Sequence, residues 1–296
     1  MSNIENDNAG LLAIIHTLSV QVAQLSVAVN EVRSLVGPFA VPMPDGQMLV
    51  QTVYGIKYLI DPSDLIMAPQ LIVYRQWEAD LSKYMFSALH KDSVFVDVGA
   101  NFGYFTCLGG AKIGISGVGR VIAMEPNPKL VKLLRANTFI NWSMCPIDIY
   151  PVAVGASEKF VRLNIPQNRA ANASLTANAD GSTDDQVDVA MKPVDSLVPA
   201  GVAIDMMKVD VEGHEHGVLE GAARVISESP NIRIVMEWSI PQMNDAGYSP
   251  ADMMKLIKDL GLCANRLPAL ATDAITKFAD DALCATPYDN ILLTHS

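Results

Sequence analysis

Hydrophobic and polar positions change their rhythm four times along this chain. The first ten residues are polar and predict a disordered tail. From Leu11 a heptad rhythm begins: Leu11, Ile15, Leu18, Val22, Leu25, Val29, Val32 and Val36 alternate spacings of four and three. That period predicts a coiled-coil helix over 11–36, with Ile15, Val22, Val29 and Val36 at a and Leu11, Leu18, Leu25 and Val32 at d. β-branched a with Leu d favours a parallel dimer, while apolar Leu12, Ile14, Ala28 and Leu35 widen the seam toward higher order. Gly37 and Pro38 stop the helix, and Pro42 and Pro44 keep the next stretch extended. Residues 46–60 read as a β-hairpin turning near Gly55, and 76–89 as a helix, so 37–90 leads into the main domain.

From Val94 short apolar runs alternate with helical patterns, the sign of a parallel sheet covered by helices on both faces. Strands are predicted at 94–98, 120–125, 147–153, 205–210, 231–237 and about 288–294. Helices are predicted at 103–112, 128–140, 215–228 and 250–260. Polar strand-like pieces joined by Asn-, Asp- and Gly-rich turns interrupt this order at 157–196 and read as an inserted hairpin or lid.

Composition narrows the partners. Half of the 296 residues are hydrophobic, enough for a large core, and the net charge of −11 opposes nucleic-acid binding. The four cysteines show no metal or redox spacing and read as reduced cytoplasmic thiols. No Lys or Arg precedes Arg33, so no secretory leader with a basic start is read. His16, Gln21 and Gln24 interrupt the apolar stretch 11–29, which argues against stable membrane insertion.

The candidate chemistry starts at VFVDVGANFGYF, residues 94–105. A buried strand ends at Asp97, and Gly99 and Gly103 shape a sharp turn into a helix whose N–H groups face a ligand. A second strand end, VIAMEPNP, places Glu125 to hold a ribose. A dinucleotide fingerprint would require glycine where Asn101 and Tyr104 stand, which disfavours an NAD site. Asp97 ahead of the turn suits a cationic ligand without phosphates, such as S-adenosylmethionine. Ligands of open parallel sheets sit beyond the strands' carboxyl ends. That rim also carries Asn127, Ala153, the run Asp210-Val211-Glu212-Gly213-His214-Glu215, and Glu237. Lys208 and Asp210 share one strand face. Asp210, His214 and Glu237 could hold a hard cation such as magnesium, but their spacing matches no zinc or calcium pattern, so no metal is assigned. Helix capping by Glu212 and Glu215, and a solvent-facing His216, are the plainer readings of that cluster.

The ordered pieces FVDVGANFGYF, AMEPNP, LLRANTFIN, VAVG, MKVDVEGHEHGVLEGA and IVMEW resemble the FkbM-type S-adenosylmethionine-dependent methyltransferases, from about Gln47 to Leu293. The resemblance implies a Rossmann-like α/β fold: a mostly parallel seven-stranded sheet whose last strand is antiparallel, here behind a coiled-coil helix. It implies O-methylation of a sugar, polyketide or similar hydroxyl. It places Asp97, Gly99, Ala100, Asn101 and Gly103 around the methionine part of the cofactor, Glu125 and Asn127 at the ribose, and Ala153 at the adenine. Asp210 would lie near the amino group or transferred methyl, and Glu212 and His214 would face the acceptor. Family members usually carry a small residue at the position of His214, so its role is read from chemistry alone. Glu78 fits the region ahead of the first strand, and Asn172 and Ser174 a polar patch in the insert. Histidine titrates near neutrality, which ranks His214 above Asp210 as the general base, with Glu237 also on the catalytic rim. A catalytically inactive, oligomeric scaffold is the alternative.

Overall fold

The computed structural model describes residues 2–35, 39–165 and 185–296. They form two units, one up to Phe39 and one from Ala40 onward. In the first, a single helix spans Ser2–Leu35. It starts ahead of Leu11, where the sequence predicted a disordered tail. The a and d residues Ile15, Leu18, Val22, Leu25, Val29 and Val32 are all exposed.

The second unit opens with three antiparallel strands, β1 (Ala40–Pro42), β2 (Met48–Gln51) and β3 (Lys57–Ile60), in that order. The predicted hairpin is β2–β3, with Gly55 in a left-handed conformation at φ 78°. β1 replaces the predicted extended linker because a turn at Gly46 folds it back, pairing Pro42 with Met48. Proline is tolerated there because β1 is an edge strand. Two asparagines of the helix Pro128–Ile140 and its end serve the outer edge of β3. Asn137 accepts from the Leu59 N–H at 2.6 Å and donates to the Leu59 carbonyl at 3.1 Å and the Phe102 carbonyl at 2.8 Å. Asn141 accepts from the Lys57 N–H at 3.1 Å and donates to its carbonyl at 2.7 Å.

The main sheet has seven strands: β4 (Val94–Val98), β5 (Arg120–Met124), β6 (Ile147–Tyr150), β10 (Met206–Val209), β11 (Arg233–Ser239), β12 (Leu262–Arg266) and β13 (Tyr288–His295). Their order is β12-β13-β11-β10-β4-β5-β6, parallel except that β13 runs antiparallel between β11 and β12. Strands of such a sheet are buried on both faces, which explains their unbroken apolar runs. Val96, Val98, Met207, Ile234 and Met236 join one core with Val218, Val225 and Met253. Phe95, Val121, Met206, Val235 and Leu292 join the other with Leu81, Tyr84, Tyr104 and Leu108.

Three predicted elements differ. The strand predicted over 147–153 breaks at Pro151, which lacks an N–H for the ladder. Ala153–Val154 (β7) instead pairs with β9 (Asp185–Lys192), which also pairs antiparallel with β8 (Lys159–Ile165). The insert thus supplies two strands of a three-stranded sheet that β7 completes, and their connection, with Asn172 and Ser174, lies outside the described residues. The helix predicted over 215–228 is two short helices, Glu215–Glu220 and Ala223–Glu228. Gly221 lies between them, where a Cβ would stand 2.3 Å from the Gly155 carbonyl oxygen. A further short helix, Met67–Val73, begins where Asp64 accepts from the N–H groups of Ile66 and Met67.

Candidate active site

The turn after β4 is built by close backbone approach. Gly99 and Ala100 donate to the Met124 carbonyl at 3.0 and 2.9 Å, so the turn is tied to the end of β5. Gly99 adopts φ 80°, and a Cβ there would lie 1.8 Å from the Asp210 carbonyl oxygen. Only glycine lets these neighbouring strand ends meet. Asn101 also takes a left-handed conformation, φ 56°, which presents its N–H to Glu125 at 2.8 Å. The second Glu125 oxygen accepts from the Asn127 N–H at 2.8 Å. Glu125 is only 5% exposed, and burial raises its pKa to about 7 against the pull of those two N–H groups.

The turn opens onto a cavity of about 360 Å³ beyond the carboxyl ends of the sheet. Of the sequence candidates, Gly99, Ala100, Asn101, Glu125, Ala153, Asp210, Glu212, His214 and Glu237 line it together. Three candidates do not. Asp97 is fully buried beneath the turn, accepting from the Thr106 hydroxyl at 2.5 Å. Gly103 packs on Leu134, and Asn127 caps the next helix by accepting from the Lys129 N–H at 3.0 Å. These residues shape the turn and carry the lining residues on it.

Lys208 and Asp210 share a strand face, as their spacing predicts, and their side chains pair at 2.8 Å. Burial works against the Lys208 charge. Asp210, Asp97 and Glu78 outweigh it and hold the ammonium pKa above its usual value. Glu212, at φ 56°, accepts from Gln242 at 2.5 Å, and Gly213 at φ 99° lies against the Gln242 backbone. Glu215 is buried outside the lining and receives the Val211 and Gly213 N–H groups at 3.0 and 3.2 Å, which fixes the turn that carries His214. His214 lines the cavity, with its Nδ1 buried. Burial, aided by Lys159 and opposed by the Glu212 backbone, lowers its pKa and favours the neutral ring. His216 is not in the lining: it stacks on Tyr248 with ring centroids 4.2 Å apart.

Glu237 sits on β11 opposite Asn290 of β13. Burial first, then the charges of Asp210, Glu212 and Glu215, push its pKa to about 9, so it holds its proton at neutral pH. Trp77, Gln242 and Tyr288 also line the cavity, and sequence reasoning did not find them. Glu78 was noted only for its place ahead of the first strand. Its backbone, φ 40° and ψ 69°, is unusual for glutamate and draws attention to it once the structure is seen. Among the described residues no group of three His, Cys, Asp or Glu side chains is arranged to hold a metal ion, and that covers Asp210, His214 and Glu237.

Residues 97–262, from Asp97 under the turn to the start of β12, match the model of the methyltransferase FkbM domain. The chain belongs to the FkbM methyltransferase family. A hexuronic acid methyltransferase, AglP, of Haloferax volcanii is 30% identical over 190 residues, which cover 62% of this chain and 70% of that protein. Among solved structures, the FkbM methyltransferase of Methylobacillus flagellatus aligns with a TM-score of 0.42 at 16% identity, over 70% of this chain and 47% of that one. The chain thus spans about half the length of that relative. A putative transferase of Pyrococcus horikoshii aligns with a TM-score of 0.46 at 15% identity, over 85% and 73% of the two chains. FkbM methyltransferases use S-adenosylmethionine as methyl donor. The residues present in this FkbM methyltransferase fit it: a glycine turn, a buried carboxylate and an apolar wall of Ala153, Val154 and Leu163 line one cavity.

Proposed function

We propose that this chain methylates a hydroxyl of a sugar, a glycan or a glycosylated small molecule, using S-adenosylmethionine. One observation carries the reading: the imidazole of His214 opens onto the same cavity as the Gly99–Asn101 turn and Glu125. Gly99, Ala100 and Asn101 hold the methionine end of the donor, Glu125 its ribose and Ala153 its adenine. When bound, the donor supplies an electrophilic methyl group on a sulfonium. His214 accepts the proton of the acceptor hydroxyl, which is a poor nucleophile until that proton is taken. Asp210 is held by Lys208 and serves to position rather than to deprotonate. The name of the Haloferax relative supports a sugar as acceptor. The four free cysteines accord with a cytoplasmic place of work. Among the described residues, no helix is long and apolar enough to cross a membrane.

Calorimetry with S-adenosylmethionine and methyl transfer to a glycan panel test this together. Wild-type protein is expected to bind the donor. His214→Ala is expected to bind it equally well and to lose about 10²–10⁴-fold in turnover, the usual worth of a general base. Unchanged turnover would remove His214 from the chemistry, and absence of binding would favour a scaffold.

We infer further that the heptad segment 11–36, within the helix Ser2–Leu35 as far as Leu35, joins copies of the chain. Its exposed a and d residues would leave a long apolar seam in water unless a second helix covered it. An array of linked sites would gain avidity for a repeating glycan. Light scattering should give a multiple of the chain mass for the full protein and a single chain mass for one starting at Ala40, which retains β1. Equal oligomeric states would defeat this role.

A further inference from the structure

The helix Pro128–Ile140 has a buried face made of Leu130, Val131, Leu134 and Asn137. On its outer face, spacings of three and four align Lys132, Arg135 and Phe139, and Trp142 follows just past the helix end. Phe139 is 86% exposed and Trp142 91%. The connection before β5 runs beside the one before β6, because these strands are parallel neighbours. The Cys145 N–H donates to the Gly110 carbonyl at 3.1 Å and ties the two together. The first connection carries Ile115 and Val118, 74% and 87% exposed. Large apolar side chains thus stand in water along one end of the sheet, where scattered single ones would be ordinary.

Charge marks the same place. The chain carries −11 overall, yet residues 126–147 contain Lys129, Lys132 and Arg135 and no Asp or Glu. Lys129 is spent on Asp185 at 2.9 Å. Lys132 and Arg135 are exposed and make no ion pair among the described residues. Lys57, on the outer edge of β3, is also exposed and in no such pair, and its backbone is held by Asn141, the neighbour of Trp142. Two acids on adjoining segments are engaged. Asp148 pairs with Arg120, and Asp92 accepts from the Val118 N–H at 3.1 Å.

Exposed aromatic rings beside long basic side chains suit the surface of a bilayer. The rings settle at headgroup depth, and the ammonium and guanidinium ends reach lipid phosphates. A chain this acidic is repelled by an anionic membrane everywhere else, so the uncompensated cations decide which face meets it. We propose that Phe139 and Trp142, flanked by Lys57, Lys132 and Arg135, dock the protein on an anionic lipid bilayer, where it lies on the surface without crossing.

The test mixes the full chain with vesicles of phosphatidylcholine, either alone or with about one third phosphatidylglycerol, in about 0.1 M salt. The protein is expected to sediment with the anionic vesicles, and to bind at least about tenfold more weakly to phosphatidylcholine alone or in about 0.5 M salt. Trp142 supplies a local signal, since Trp238 is buried and Trp77 lines the cavity. Tryptophan emission is expected to shift to the blue on anionic vesicles, and the shift to vanish in Trp142→Phe. The double variant Phe139→Ser with Trp142→Ser should weaken binding about tenfold or more. Lys132→Gln and Arg135→Gln should each weaken it about fivefold, the worth of one basic side chain at such a surface. These side chains are exposed, so each variant should keep its Tm within about 2 °C of the wild type. Absence of binding, equal binding to both vesicles, or variants that bind like the wild type would overturn the proposal. So would a blue shift that persists in Trp142→Phe. A shift that grows with protein concentration in the absence of lipid would overturn it too, and would give this face to a second copy of the chain.

Discussion

Alanine at position 99 should abolish donor binding and destabilise the whole sheet domain. The added methyl would sit 1.8 Å from the Asp210 carbonyl oxygen and 2.9 Å from its carbon, both backbone atoms. Asp210 cannot retreat easily, because its N–H is bonded to the Val98 carbonyl and β10 lies in the middle of the sheet. The backbone at φ 80° adds a penalty for any side chain. Overpacking and left-handed strain together predict a loss of about 3–5 kcal/mol. Gly201 supplies the control. It has a similar φ of 78° but nothing within 4 Å of a Cβ, so Gly201→Ala should cost only about 1–2 kcal/mol. Thermal unfolding and calorimetry on both variants read the difference. Normal donor affinity in Gly99→Ala would refute the placement of the cofactor at this turn.

Glu125→Ala should be nearly as damaging. It strips the acceptor from the N–H groups of Asn101 and Asn127 at once, and each buried, unpaired N–H costs about 1–3 kcal/mol. It also removes the carboxylate assigned to the ribose, so donor affinity should fall about a hundredfold or more. Glu125→Gln keeps one acceptor and should be intermediate. It also isolates a pH effect. The folded pKa of Glu125, about 7, lies above its ordinary value of 4.5, so the folded state holds a proton that the unfolded state releases. The stability from that proton is complete below about pH 4.5 and is lost as pH rises through about 7. Glu215 and Glu237 act in the same direction, so the comparison is between proteins. Between pH 5 and 8 the Tm of Glu125→Gln should fall less than that of the wild type. An equal fall would show that Glu125 is ionised throughout.

The order of strands and helices from Val94 could be read because each buried strand is a short apolar run ended by turn residues. The pairing of Lys208 with Asp210 followed from the two-residue period of a strand. The same pattern could not say which rim residues face the ligand. Asp97, Gly103 and Asn127 have the residue types of a binding turn, yet they build it from beneath. An acid at a strand end satisfies a neighbouring hydroxyl as readily as a cofactor, and only packing decides between them. Trp77 and Tyr288 stand at the starts of segments read as a helix and a strand, and the period of those segments did not say that these residues reach the cavity. The strand β12, Leu-Cys-Ala-Asn-Arg, is poor in β-branched residues and becomes a strand because β13 pairs with it.

The two asparagines at the outer edge of β3 have an effect beyond their own bonds. An open strand edge is a template on which another molecule can add a strand. Here Asn137 and Asn141 occupy the backbone groups of Leu59 and Lys57 that an incoming strand would use. At that flank, then, the backbone groups of Leu59 and Lys57 are already taken, and a strand from another molecule finds no ladder to extend there.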